Sequence, residues 1–104
     1  MPQSKFIKFR NSTIELFNQY GISIKLNATL CFIVENYYKE HKLTISEMIS
    51  QKHLASQATI HAGIKELIAL NLVELVINSS DARIKYLVPT KTTLELFKKL
   101  DSLI

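Results

Sequence analysis

Between residues 43 and 90 the spacing of apolar residues changes from a helical period to a strand period, which limits the folds open to this chain. The stretch opens on Leu43-Thr44-Ile45-Ser46-Glu47-Met48-Ile49. Thr44 and Glu47 have the spacing of a capping box, in which each side chain satisfies a backbone N–H at a helix start. This predicts a short helix over 45–51 with Ile45, Met48 and Ile49 as its apolar stripe. A polar break, Gln51-Lys52-His53, separates it from a second helix over 56–70. Ser56 is that helix's cap, and Ile60, Ile64, Leu67 and Ile68 form its buried stripe. Asn71, which tolerates left-handed backbone, stands at its end. The runs 72–77 and 84–88 are rich in β-formers and flank the turn cluster Asn78-Ser79-Ser80-Asp81, so they predict a hairpin that ends at Pro89.

Three more helices are expected around this stretch. Residues 4–19 carry Phe6, Phe9, Thr13, Leu16, Phe17 and Tyr20 at helical spacing, with Gly21 as the stop. Residues 27–41, capped by Asn27, place Leu30, Ile33, Val34, Tyr37 and His41 on one face, and Cys31, Phe32 and Tyr38 make the other side apolar too. A helix apolar nearly all round is central or sandwiched at an interface. Thr90 caps a last helix over 91–103, with Leu94, Phe97, Leu100 and Leu103 on one face. The expected order is α-α-α-α-β-β-α. That is a mostly α (α+β) winged helix-turn-helix with a two-stranded β-wing, forming one domain over 1–104. The segments 4–41 and 91–104 are expected to be helical arms used for dimerisation.

Composition narrows the function. With 47% hydrophobic residues the chain can build an ordered core. Its net charge of +4 suits a polyanion, although each half of the sequence carries only +2. Cys31 is the one cysteine, so no disulfide forms within the chain, and a reducing cytoplasm is expected. No apolar run has the length of a membrane span, and the first ten residues do not read as a signal peptide. His41, His53 and His61 include no pair at i, i+4 with a carboxylate partner, which argues against zinc. No glycine-rich phosphate loop, nucleophile elbow or placed carboxylate pair points to an enzyme, and no cofactor is expected. Cys31, near the start of an apolar helix, reads as a structural thiol rather than a redox switch. The aromatic residues read as core or dimer packing rather than base-stacking platforms.

A helix pair followed by a hairpin suits double-stranded DNA. The second helix fits the major groove, its N-terminal N–H groups face phosphate, and the hairpin can set a cation against an adjacent groove.

The same residues resemble a known family. Residues 43–90 look like the MarR and SarA group of winged-helix regulators. The resemblance begins in Leu43 to Ile49 and continues in Ser56-Gln57-Ala58-Thr59-Ile60-His61, which reads like the opening of a recognition helix. It extends through Leu67 to Val73, similar to the family's exit into the wing, and Asp81-Ala82-Arg83, which matches its Asp-x-Arg wing signature. Leu87-Val88-Pro89-Thr90 stands where the family has a strand ending in Leu-Thr. The resemblance implies a homodimeric transcription regulator. Gln57, Thr59, His61 and Lys65 would face the major groove, and Thr44, Ser46 and Ser56 would contact phosphates near helix starts. Arg83, held by Asp81, would enter the minor groove from the wing, and Lys85 completes the DNA-binding set. The sequence departs from the family in a wing without glycine and in Asn71 replacing the usual glycine. The short format is closer to the SarA branch. A small-molecule effector stays open, as does the operator. Two plainer readings stand beside these: a surface ion pair for Asp81 and Arg83, and a solvated helix face for Gln57, His61 and Lys65. A winged-helix protein-interaction or assembly module is the alternative function.

Overall fold

The computed structural model describes residues 4–104, so the first three residues of the expected 1–104 domain, and of the segment weighed as a leader, lie outside the described residues. The elements run α1 (Lys5–Gln19), α2 (Ile24–Tyr38), β1 (Leu43–Thr44), α3 (Ile45–Ile49), α4 (Gln57–Ala69), β2 (Val73–Ile77), β3 (Lys85–Pro89) and α5 (Lys91–Asp101).

Local chemistry sets most boundaries. The hydroxyls of Ser4, Thr44, Ser56 and Thr90 accept hydrogen bonds from the backbone N–H three residues on and start α1, α3, α4 and α5. Thr44 and Glu47 form the complete capping box. Helices α1, α2 and α4 end alike, each on a residue of positive φ: Gly21 at 75°, Glu40 at 60° and Asn71 at 60°. In each case the next N–H reaches back to a carbonyl five residues earlier, as Ile22 does to Phe17 and Leu72 to Leu67. Those four side chains are buried, so the same turns that close α1 and α4 also pack.

Four expectations need correction. Helix α2 occupies 24–38, not 27–41: Ser23 holds the cap position on extended backbone without a side-chain bond, and Asn27 lies one turn inside, where its Oδ1 accepts from the Cys31 thiol at 3.1 Å. Glu40 turns left-handed and stops the helix, so His41 lies past its end and is exposed. The buried stripe of α2 is Leu26, Thr29, Leu30, Ile33 and Val34, while Tyr37 and Tyr38 are exposed. The sheet has three strands rather than two, in the order β1-β3-β2, with Leu43 opposite Leu87 and Thr44 opposite Tyr86. Finally, α5 buries Thr93 and Leu96, and Leu94, Phe97 and Leu100 are half-buried beside them. Leu103 lies beyond the helix and is exposed.

The core lies between α2 and α4, closed by Met48 of α3, by Leu43, Val73 and Leu87 of the sheet and by Leu96 of α5. At Gly63 helix α4 packs on α2, and a Cβ there would meet Leu26 Cδ2 at 3.4 Å, an ordinary packing contact. Thr93, fully buried, donates to the Leu72 carbonyl at 2.6 Å, and Thr90 donates to the Asn71 carbonyl at 2.9 Å. These bonds tie α5 to the α4–β2 junction and orient the wing relative to α4.

Candidate nucleic-acid interface

Helices α3 and α4 are joined by a short turn, and α4 shows solvent most of its first half. Gln57, Ala58, Thr59, His61, Ala62 and Lys65 are exposed, whereas Ile60, Ile64 and Leu67 on the opposite side are buried. At 100° per residue, Gln57, His61 and Lys65 form one ridge of that face. At its N-terminus the Ser56 hydroxyl accepts from the Thr59 N–H at 3.2 Å and donates to Thr59 Oγ1 at 2.9 Å. Its donor is therefore spent, and the free hydroxyl proton of this pair belongs to Thr59. Gln57 and Ala58, in the first turn, keep N–H groups that the helix cannot satisfy.

The capping box spends Thr44 in the same way. Its hydroxyl accepts from the Glu47 N–H and donates to Glu47 Oε1, each at 3.1 Å. Glu47 also accepts the Thr44 N–H and meets His41 Nε2 at 2.9 Å. Thr44 thus fixes where α3 begins, and of the two only Ser46 presents an exposed side chain. The Thr44 N–H, followed by the His41 contact, holds the Glu47 carboxyl below the usual glutamate range. A carboxyl lowered on folding contributes stability above its unfolded value and loses it as pH falls through the folded one. Glu47→Gln should therefore melt below the wild type at neutral pH, by about 0.5 kcal/mol for a negative charge in a first helical turn. Melting curves across acidic pH should show the two proteins converging as Glu47 protonates. A gap unchanged down to strongly acid pH would contradict this account.

At the other end of the site, residues 78–84 form a tied turn. Asn78 Oδ1 accepts from the N–H groups of Ser80 and Asp81, and its Nδ2 donates to the Tyr86 hydroxyl at 2.8 Å. Asp81 grips Arg83 by a fork: Nε to Oδ1 at 3.1 Å and Nη2 to Oδ2 at 3.0 Å, with the Arg83 N–H on Oδ1 as well. The guanidinium, and then that N–H, lowers the Asp81 carboxyl, while the carboxylate keeps the Arg83 guanidinium the more firmly protonated. The Arg83 side chain is 91% exposed, and three of its five N–H donors stay unused by Asp81.

These elements meet in a cleft of about 320 Å³ lined by Thr44, Ile45, Ser46, Arg83, Ile84 and Lys85. The structure therefore brings Ser46, Arg83 and Lys85 to one place, while Gln57, Thr59, His61 and Lys65 share the exposed side of α4. The sequence reading passed over Lys52, exposed in the turn between the two helices; its place in a polar break between two capped helices was the available signal. It also passed over Lys42, whose ammonium lies 5.9 Å from the centre of the Tyr86 ring of β3. Cys31 is half-buried, and burial, with Glu35 nearby, pushes its thiol up, as a packing cysteine requires. His53 packs edge-on against Phe32. Among the described residues no three metal-ligating side chains cluster, and no helix is long and apolar enough to cross a membrane.

A helix pair whose second member is exposed along one face, followed by a hairpin joined to a third short strand, is a winged helix. Solved structures carry the same fold. MepR of S. aureus in a complex with DNA aligns with a TM-score of 0.73 at 16% identity, covering 95% of this chain and 69% of that one. YusO of Bacillus subtilis aligns at 0.66 with 17% identity, covering 94% of this chain and 66% of that one. The transcriptional regulator Tm0710 of Thermotoga maritima aligns at 0.69 with 19% identity, covering 92% and 64%. At 16–19% identity these likenesses concern the fold, and at that level they agree with the winged-helix architecture expected from residues 43–90. The chain spans about two thirds of these neighbours' length. No protein-family model matches the sequence, and no curated protein is significantly similar to it.

Proposed function

We propose that this chain is a cytoplasmic transcription regulator, not an enzyme, that binds double-stranded DNA sequence-specifically as a homodimer. Two observations support this reading: the exposed face of α4, the second helix of the pair, and the clamped Arg83, which the wing sets beside Ser46 and Lys85. An α-helix fits the major groove and an arginine fits a narrow minor groove beside it. Gln57, His61 and Lys65 meet base edges. Thr59 and the free N–H groups of Gln57 and Ala58 meet phosphate, with Ser46, Lys85 and Lys52 extending that contact. Ser56, Thr44 and Asp81 act by holding these groups in place. The neighbour bound to DNA, MepR, agrees with this reading.

The homodimer is supported by apolar surface on the arms. Phe6, Ile7, Phe9 and Ile24 are exposed along α1 and the start of α2, and Leu103 and Ile104 at the end of the chain. A second copy covering these residues would double the DNA contacts on a two-fold site, with half-sites about 34–36 Å apart.

One observation favours the alternative of a protein-interaction module. The wing carries exposed Leu75, Val76, Ile77 and Ile84, an apolar group where a purely DNA-directed wing would carry cations. A fluorescence-anisotropy titration of random duplex at low and moderate salt separates the two. Binding should weaken steeply with salt, because each neutralised phosphate releases counterions. Selection from a random duplex pool should then return a two-fold motif. Absence of binding at low salt would put the interaction module first.

A further inference from the structure

We propose that the free edge of β2 pairs with the β2 edge of a second copy, joining two wings into one continuous antiparallel sheet. β2 is the outer strand of the sheet. The phase of its ladder is set at both ends: the Asn78 N–H donates to the Ile84 carbonyl, and the Thr90 N–H donates to the Leu72 carbonyl, each at 3.0 Å. Residues opposite one another alternate between bonded and non-bonded pairs. Even-numbered residues of the strand therefore bond to β3, and Val73, Leu75 and Ile77 turn their N–H and carbonyl groups outward. Pro89, which has no N–H, lies opposite Val73, as this phase demands. Val73 is buried, which leaves Leu75 and Ile77 as the open edge.

Natural edge strands are guarded by lysine, proline, bulges or a covering element. Among the described residues this edge has no lysine, proline or covering element. Leu75 is 41% exposed and Ile77 58%. The one charge on the strand, Glu74, is on the opposite face from both. Self-pairing has one register that uses only the open residues, with its two-fold axis at Val76. Leu75 then lies opposite Ile77 of the second copy, and Ile77 opposite its Leu75, each as a bonded pair that satisfies the outward groups of these two residues. The four side chains form an apolar cluster on one face, and Val76 meets Val76 on the other. Glu74 falls opposite Asn78, so no like charges oppose each other, and the open apolar residues of the strand match only one another in this two-fold register, which is the ground for a second copy as the partner. The patch is small beside the roughly 1,200 Å² that a stable complex buries. The contact therefore acts between copies already held near one another, on a duplex or through the arms, and needs neither to form at high concentration.

Cross-linking of the full chain at high concentration without DNA tests the register. In a Cys31→Ser background, Val76→Cys places two thiols in a non-bonded pair with Cα atoms about 4.5 Å apart. That is within the range a disulfide spans. Glu74→Cys, on the same face, is displaced from its copy by four residues along the strands, about 14 Å. Oxidation should convert the Val76→Cys protein to a covalent dimer and leave the Glu74→Cys protein monomeric on a denaturing gel. Adding Ile77→Lys to the Val76→Cys protein should abolish the dimer. Equal cross-linking at 74 and 76, no cross-linking at 76, or a dimer that survives Ile77→Lys would each overturn the proposal. Because no DNA is present, these outcomes stand apart from the DNA-binding reading.

Discussion

Leu67→Ala is expected to lower the free energy of unfolding by about 2–5 kcal/mol. The side chain is fully buried among residues of α2, α4 and the sheet. Removing it forfeits the transfer energy of the lost carbons and leaves a cavity that a core crossed by helices cannot fully collapse. The Leu67 carbonyl accepts the Leu72 N–H at 2.9 Å, and the two buried side chains pack across the turn that passes from α4 into β2. A loss of that size is a large part of the about 5–15 kcal/mol a domain of this kind possesses. The melting temperature should fall by at least about 10 °C. Lys65→Ala, two residues earlier and exposed, should shift stability by no more than about 0.5 kcal/mol. Urea unfolding of the two variants measures the contrast. Equal small losses would mean that α4 does not bury the face described here.

Where a boundary rests on a side chain and its own neighbours, the sequence was legible. Thr44 with Glu47, Ser56, Thr90, Gly21 and Asn71 each set a helix end by a bond or a φ value that depends on local identity, and each does so in the fold. The start of α2 was not legible, because Ser23 makes no capping bond and nothing local marks it, while Asn27 is a good cap in the wrong place. Glu40 is not a residue that announces positive φ, so the helix was carried on to His41. The third strand is two residues long, too short for any period, and exists only because β3 passes beside it. Exposure of Phe6 and Phe9, and burial of Thr93 and Leu96, depend on which helix lies opposite. The same division holds in the site. That Gln57, His61 and Lys65 share a face follows from spacing. That Ser56 and Thr44 have spent their hydroxyl protons, leaving Thr59 and Ser46 as the free donors, follows from partners that spacing does not fix.

Arg83→Ala should weaken duplex binding by about 1–3 kcal/mol per site while leaving the melting temperature within error. The two halves of that expectation have separate causes. The guanidinium is almost wholly exposed, so its pairing with Asp81 contributes little to folding. Its worth lies in being held: Asp81 takes two of its donors, Asn78 ties down the loop that carries Asp81, and the remaining donors point from a tip that has already lost its freedom. Asp81→Asn tests the holding apart from the charge. It removes a negative charge near phosphate, which favours binding, and loosens the fork, which opposes it. If the holding dominates, Asp81→Asn also binds more weakly, although its net charge is more positive by one. Arg83→Lys keeps the charge but cannot fill a two-pronged carboxylate contact, and should recover the salt dependence of binding without recovering sequence preference. Titration of the three variants against a selected duplex and a random one, at two salt concentrations, separates these effects. If Arg83→Ala and the wild type bind the selected duplex equally, the wing has no part in recognition.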